Sequence, residues 1–264
     1  MDPENNSNPS GFLLQIFAAL FIAALLLLGG GFLYPQEPSA PPEISPEKLL
    51  ADKMAEAQTR LKKRSATDYT LGEIKINAAT RELRLPCSVL HQQIPIEYVL
   101  VHETGKDHET ILTTAVPPLD LQVALLLANY TPGSTGLFAK LPKGEPLPFK
   151  EQEPKTPGTH RVKLTAEWEI DGKKSSAPLS QWIQNSDLRV PPPDLDAWIF
   201  NGSKIDNRGF VAEGEGSIIA VYADAHALFN SPAAGNHADD IWISLPKNIP
   251  PEGTPVTLII TPAP

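Results

Sequence analysis

An unbroken apolar run from Phe12 to Tyr34, free of Asp, Glu, Lys and Arg, limits this chain more than any other feature. Wound as a helix, the run is roughly 30 Å long at 1.5 Å per residue, about the thickness of a bilayer core. It reads as a transmembrane anchor over 12–34, behind a short polar N-terminus over 1–11. A cleaved signal peptide fits less well. Residues 1–11 hold Asp2 and Glu4 but no basic residue, and no Ala-x-Ala site follows the run. Pro-Ser-Ala at 38–40 runs straight into Pro41, a poor context for cleavage. Lys48 and Lys53 follow the run and none precedes it, which leans toward a cytoplasmic C-terminal side. Long domains cross largely regardless of such charges. The expectation is therefore a single-pass membrane protein with an extracytoplasmic, periplasmic C-terminal domain.

Beyond the anchor, residues 35–46 read PQEPSAPPEISP, an extended polyproline tether. A helix is expected over 46–65. Ser45 suits its N-cap and Pro46 its first turn, and Leu49, Leu50, Met54, Ala57 and Leu61 form an apolar stripe. That stripe suits either packing on the domain or a homo-oligomer formed with a second copy. Arg60, Lys62, Lys63 and Arg64 fall at its predicted end, where cations suit the helix dipole.

From Tyr69 the pattern changes to strands. Leu71, Ile74 and Ile76 come first, followed by Leu83, Leu85 and Val89, then Ile94–Val101 and Thr110–Val116. Residues 119–130, LDLQVALLLANY, are apolar all round and read as a helix buried in the core. His160–Ile170 alternates as a strand, and Asp171-Gly172 is a hairpin turn signal. Later strands are expected at Ala197–Phe200, Phe210–Ala212, Ser217–Tyr222 and Val256–Ile260. The fold class is α+β: an antiparallel, β-rich domain over 69–264 with one buried core helix, preceded by the transmembrane helix.

Composition narrows the function classes. The net charge of −9 repels phosphate backbones, so no nucleic-acid partner is expected. The single cysteine, Cys87, permits no intrachain disulfide, and no Cys-x-x-Cys is present for an iron–sulfur centre. There is no P-loop, dinucleotide fingerprint or nucleophile elbow, so no cofactor and no catalytic residue are assigned.

The densest polar cluster is His102-Glu103 through Lys106-Asp107-His108-Glu109. Its histidines are six apart and flanked by strands, which is not the helical HExxH spacing. Gly105-Lys106 suits a two-residue type II′ hairpin loop. In that register His102 faces Glu109 and Glu103 faces His108, on opposite faces of the sheet. One reading is a pair of structural charge pairs, each worth about 0.2–1 kcal/mol. The other is a ligand site at the tip made by Lys106, His108 and Glu109. A metal-binding protein or metal-dependent hydrolase is the alternative function, with His102, His226, His237 and Asp239 as weak metal candidates.

Three segments together resemble the YdjY domain family of bacterial envelope proteins. They are Gly-Lys-Asp-His-Glu-Thr-Ile-Leu at 105–112 with the helix after it, Trp-Ile-Phe-Asn-Gly-Ser at 198–203, and Asn-Ile-Pro-Pro-Glu-Gly-Thr-Pro-Val at 248–256. The resemblance covers roughly residues 69–264. It implies a secreted or membrane-tethered bacterial domain, and it carries no activity or site residue. With the anchor and the tether, it leads to the expectation of a non-catalytic binding module that meets an envelope partner.

Overall fold

Apolar alternation at period two dominates from residue 69 onward, and it builds a closed sheet. The computed structural model describes residues 45–133, 137–138, 159–186, 189, 191–192, 195–206 and 209–264. The expected anchor at 12–34 and nearly all of the tether lie outside them. Among the described residues no helix is long and apolar enough to cross a membrane.

The first half of the chain runs α1 (Pro46–Thr59), β1 (Leu61–Lys63), β2 (Asp68–Leu71), β3 (Ile74–Asn77), β4 (Glu82–Val89), β5 (Tyr98–His102), β6 (Thr110–Thr114) and α2 (Pro118–Leu127). The second half opens with β7 (Arg161–Ile170), β8 (Lys173–Pro178), β9 (Ile183–Asn185), β10 (Trp198–Phe200), β11 (Ile205–Asp206) and β12 (Gly209–Phe210). It closes with α3 (Val211–Glu215), β13 (Ser217–Ala220), β14 (Phe229–Asn230), β15 (Trp242–Ser244) and β16 (Pro255–Pro262). The domain is thus α+β and β-rich, with few helices.

Eight strands close into a barrel in the order β4-β16-β7-β10-β14-β13-β5-β6 and back to β4. The final strand, β16, is paired along its length on both sides. It pairs with β4 from Pro255↔Ser88 to Ile260↔Leu83, and with β7 from Val256↔Trp168 to Pro262↔Val162. Strands β4 and β7 each split their other edge between two partners. Along β4, β3 takes Glu82–Arg84 and β6 takes Ser88–Val89. Along β7, β10 takes Arg161–Val162 and β8 takes Thr165–Ile170. The β7–β8 hairpin turns at Asp171 and Gly172, both at positive φ, as the two-residue type I′ loop requires.

The sheet is mixed where a wholly antiparallel one was expected. The pairs β5–β6 and β13–β14 are parallel. The hairpin expected between β5 and β6 therefore does not form. Leu100 lies opposite Leu112 and His102 opposite Thr114, so His102 does not face Glu109. A type II′ loop needs positive φ at Gly105, and Gly105 is not among the residues that have it. Instead residues 103–109 double back, and the Glu97 amide donates to the Glu109 carbonyl at the start of β5 (3.1 Å). Parallel neighbours normally need a dozen or more connecting residues. This crossover is shorter, and it is held tightly along its length.

Helix α2 is buried from Pro118 to Leu125, as its all-round apolar sequence predicts, and its residues belong to the same core as the barrel strands. At its C-terminal end the Arg81 guanidinium lies over the Tyr130 ring (4.3 Å) and donates to the Ala128 carbonyl (3.1 Å), a good place for a cation. Phe210–Ala212 differs from the strand expected there: only Gly209–Phe210 is extended, and Val211 begins α3. Helix α3 ends at Gly216 in the left-handed conformation, the usual glycine C-cap.

The helix expected over 46–65 stops at Thr59, because Leu61–Lys63 pairs with Tyr69–Leu71 as β1. Ser45 caps it, accepting from the Lys48 amide. Its apolar stripe turns onto the domain: Ala57 is fully buried, and Met54 and Leu61 pack against the core. Arg60 is not a solvated helix end. Its guanidinium makes two 2.6 Å bonds to the carboxylate of Asp120, which is only 2% exposed.

That pair is asymmetric, with the Arg60 side chain 45% exposed and the Asp120 side chain 3%. Arg60→Ala strands a buried carboxylate, whereas Asp120→Ala leaves a cation that water can reach. Partial exposure discounts the loss from that of a fully buried pair, so Arg60→Ala should cost roughly 1–3 kcal/mol and Asp120→Ala less. Urea unfolding of both variants checks this; equal losses would overturn the asymmetry, and no loss in either would show that the pair does not hold α1 to α2.

Candidate functional site

The side of the barrel formed by β5 and β13 carries a second, small apolar cluster of Tyr98, Val101, Ala220 and Ala227, with Tyr222 packed against it. Both faces of β5 are covered, so the Tyr98 hydroxyl is buried and needs partners. It finds three. Tyr98 Oη donates to Asp224 Oδ2 (2.9 Å), lies 3.1 Å from Tyr222 Oη, and accepts from Lys106 Nζ (2.6 Å). The Lys106 ammonium also lies 4.8 Å from the Tyr98 ring centroid, a cation–π contact. The two tyrosine rings meet edge-on at 6.0 Å.

Asp224 is fixed from every side. Its Oδ1 accepts from the His226 amide (2.8 Å), and its own amide donates to Asn230 Oδ1 (2.6 Å). Asn230, fully buried, donates to the Asp224 carbonyl (2.8 Å) and to Asn201 Oδ1 (2.6 Å). Asn201 in turn donates to the Ala227 carbonyl (2.8 Å). The His226 ring pairs through Nδ1 with Glu215 Oε2 at 2.8 Å. Closed networks of this kind rigidify, because every buried polar group in them is satisfied.

Two glycines let the crossover reach this network. Gly105 and Gly216 are in backbone contact, and a Cβ added to Gly216 would lie 2.7 Å from Gly105 Cα. The His102 amide donates to the Gly216 carbonyl (2.8 Å), and the Gly105 amide to the His102 carbonyl (2.7 Å). Lys106, next in sequence, is thereby aimed back at Tyr98. Ser217 follows Gly216, and its buried hydroxyl adjoins Tyr98.

Burial, reinforced by the Asp224 carboxylate, pushes both the Tyr98 and the Tyr222 phenol upward. Burial also pushes the Cys87 thiol up to about 12. All three stay protonated at neutral pH, so the phenols serve as hydrogen-bonding groups and not as nucleophiles. Glu97, half-buried at the foot of β5, is likewise raised, first by burial and then by the Glu109 carboxylate.

The structure sorts the sequence candidates. Lys106 joins the network, and Glu109 lies beside Glu97 at its edge. His108 does not join: its side chain is 76% exposed and its nearest carboxylates, Asp107 and Glu109, stand 3.8 Å away. Of the metal candidates, His226 belongs to the network through its amide, while His102 is spent on Thr104 Oγ1 (2.8 Å). His237 and Asp239 are exposed. Among the described residues no three His, Cys, Asp or Glu side chains are placed to hold a metal ion. Tyr98, Tyr222, Asp224, Asn201 and Asn230 escape sequence reasoning. Their one signal is a tyrosine inside a strand that is apolar on both faces, where its hydroxyl has to be met.

The raised Glu97 gives a signed expectation. The penalty for its charge is present at neutral pH and is relieved as pH falls through its raised folded pKa. Glu97→Gln should therefore melt higher than wild type at neutral pH, and the gap should close as pH drops toward the ordinary glutamate range. Melting temperatures across that window test it; a gap that stays constant would sink it.

Compared with protein-family models, with curated proteins and with solved structures, the chain matches none of them.

Proposed function

We propose that this chain is a membrane-tethered, non-catalytic binding module of the bacterial envelope, with its barrel outside the cytoplasm. We place its ligand seat at the Lys106 rim of the Tyr98–Asp224 network. One observation carries the reading. The Lys106 ammonium is held by a single hydrogen bond and a ring contact, on a half-buried residue, so it keeps donors for a ligand while its position is fixed. The half-exposed Tyr222 hydroxyl stands beside it as a second polar group. Fixed donors of this kind cost little ordering when a ligand binds.

The apolar run at 12–34 and the proline-rich stretch after it support the tethered placement. The similarity of 105–112, 198–203 and 248–256 to the YdjY domain family supports the envelope placement. Those segments contribute the crossover with β6, strand β10, and the approach to β16. The neutral phenols and thiol support binding over nucleophilic chemistry.

Two measurements test the proposal. In intact cells, a photoreactive residue substituted at the exposed His108 should form an adduct with an envelope component on illumination. Lys106→Met should abolish it; the same adduct in that variant, or none in either, would overturn the seat. Protease added to spheroplasts should digest the barrel, and full resistance would overturn the placement.

A further inference from the structure

The sheet extends past the barrel on one side. β1, β2 and β3 follow α1 directly and join the ring only through β4. Their register lines up Lys62, Thr70, Lys75 and Arg84 across four strands, and directly opposite residues share a face. Arg64 joins that row, its Nε donating to Thr70 Oγ1 (3.1 Å). Arg64, Thr70, Lys75 and Arg84, together with Asp68 and Glu82, line a hollow of about 410 Å³ on this side of the sheet.

The carboxylates of the face are already met. Asp68 accepts from Ser65 Oγ (2.6 Å) and from Asn77 Nδ2 (2.8 Å). Glu82 and Glu167 both pair with Arg84. Lys62, Arg64 and Lys75 are exposed, and among the described residues none of them is in an ion pair. On α1, by contrast, Lys48 and Lys53 are balanced by Asp52 and Glu56. The whole chain has a net charge of −9, so a face with cations to spare stands apart from the rest of the molecule.

The apolar run at 12–34 ends ten residues before Ser45, and ten residues reach at most about 35 Å. A tether that short keeps a domain beside its bilayer and raises the effective concentration of lipid surface. It does not choose which face the domain turns. An anionic surface does: it repels the acidic remainder and attracts this row. We propose that the row from Lys62 to Arg84 is a docking face for anionic phospholipid head groups. The inference rests on the tethered placement proposed above, and it uses no residue of the Lys106 seat.

The test uses the full chain in two nanodisc preparations, one of neutral phosphatidylcholine and one with about a third phosphatidylglycerol. Exposed lysines are acetylated with a water-soluble active ester, and their rates are measured by peptide mass spectrometry. Lys173 and Lys247, exposed on other elements, serve as references. Relative to them, Lys62 and Lys75 should react at least about threefold more slowly in the anionic discs. Salt at about 1 M, where the screening length is about 3 Å, should restore the rates. Arg64→Glu keeps both reporter lysines and should remove most of the protection at an unchanged melting temperature. Arg64→Gln should remove less, and it carries the comparison if Arg64→Glu melts lower. Equal rates in the two discs, protection that survives salt, or full protection in both variants would each overturn the docking face. So would the same protection in neutral discs on adding glycerol phosphate, because the face would then take a soluble anion. A chain that enters neither disc would overturn the tethered placement and this face with it. A chain that enters both and reacts equally overturns the face alone.

Discussion

The ring closes on a single short strand. β6 is the one element that joins β5 to β4, parallel on one side and antiparallel on the other. Its seam with β4 is short, Ser88↔Thr113 and Val89↔Leu112, and Thr114 Oγ1 reinforces it by donating to the Pro86 carbonyl (2.6 Å). Without that seam the sheet would end in two open edges, and edges are what a barrel exists to remove. β6 bridges them while running in the same direction as β5. The chain between them has to return the length of the strand before β6 begins. The tight crossover at 103–109 supplies that return.

The crossover in turn explains the polar network. A short connection laid across a strand has its own backbone groups and one strand face to satisfy. Gly105 against Gly216 allows backbone to approach backbone without a Cβ between them. Lys106 then reaches the Tyr98 hydroxyl, which also has Asp224 and Tyr222. The network that fixes the Lys106 ammonium also pins the connection that closes the barrel. The structural role and the proposed binding role therefore rest on the same hydrogen bonds. A variant at Tyr98 or Asp224 would confuse the two roles, while Lys106 at the rim separates them best.

Much of this fold is legible in the sequence because burial leaves a period. Leu83, Leu85, Cys87 and Val89 alternate along β4 and are all buried, and the Asp-Gly turn sits where the β7–β8 hairpin turns. The buried helix is legible because LDLQVALLL is apolar all round. Strand direction leaves no such trace: Leu100 and Leu112 are apolar in either orientation, so the hairpin and the parallel crossover have the same pattern. A strand of two residues, such as β12 or β14, is too short to show a period at all. The site is legible only in part. Lys106 and Glu109 stand out as a polar cluster, but Asp224 and Asn230 come to Tyr98 through long-range pairing of β13 with β5 and β14. No local spacing encodes that meeting.

The first helix shows where an apolar stripe and one ion pair go within a single chain. An apolar face at 3- and 4-residue spacing fits a second copy of the chain or the domain behind it equally well. Here Ala57 goes to the core, and the Arg60 fork takes a carboxylate buried at the head of α2. Lys48–Asp52 and Lys53–Glu56 are left as exposed pairs on the outer face. To offer the stripe to another copy, α1 would have to leave Asp120 buried without its partner, an expensive state. The helix at Pro46–Thr59 is thus built into the domain as structure.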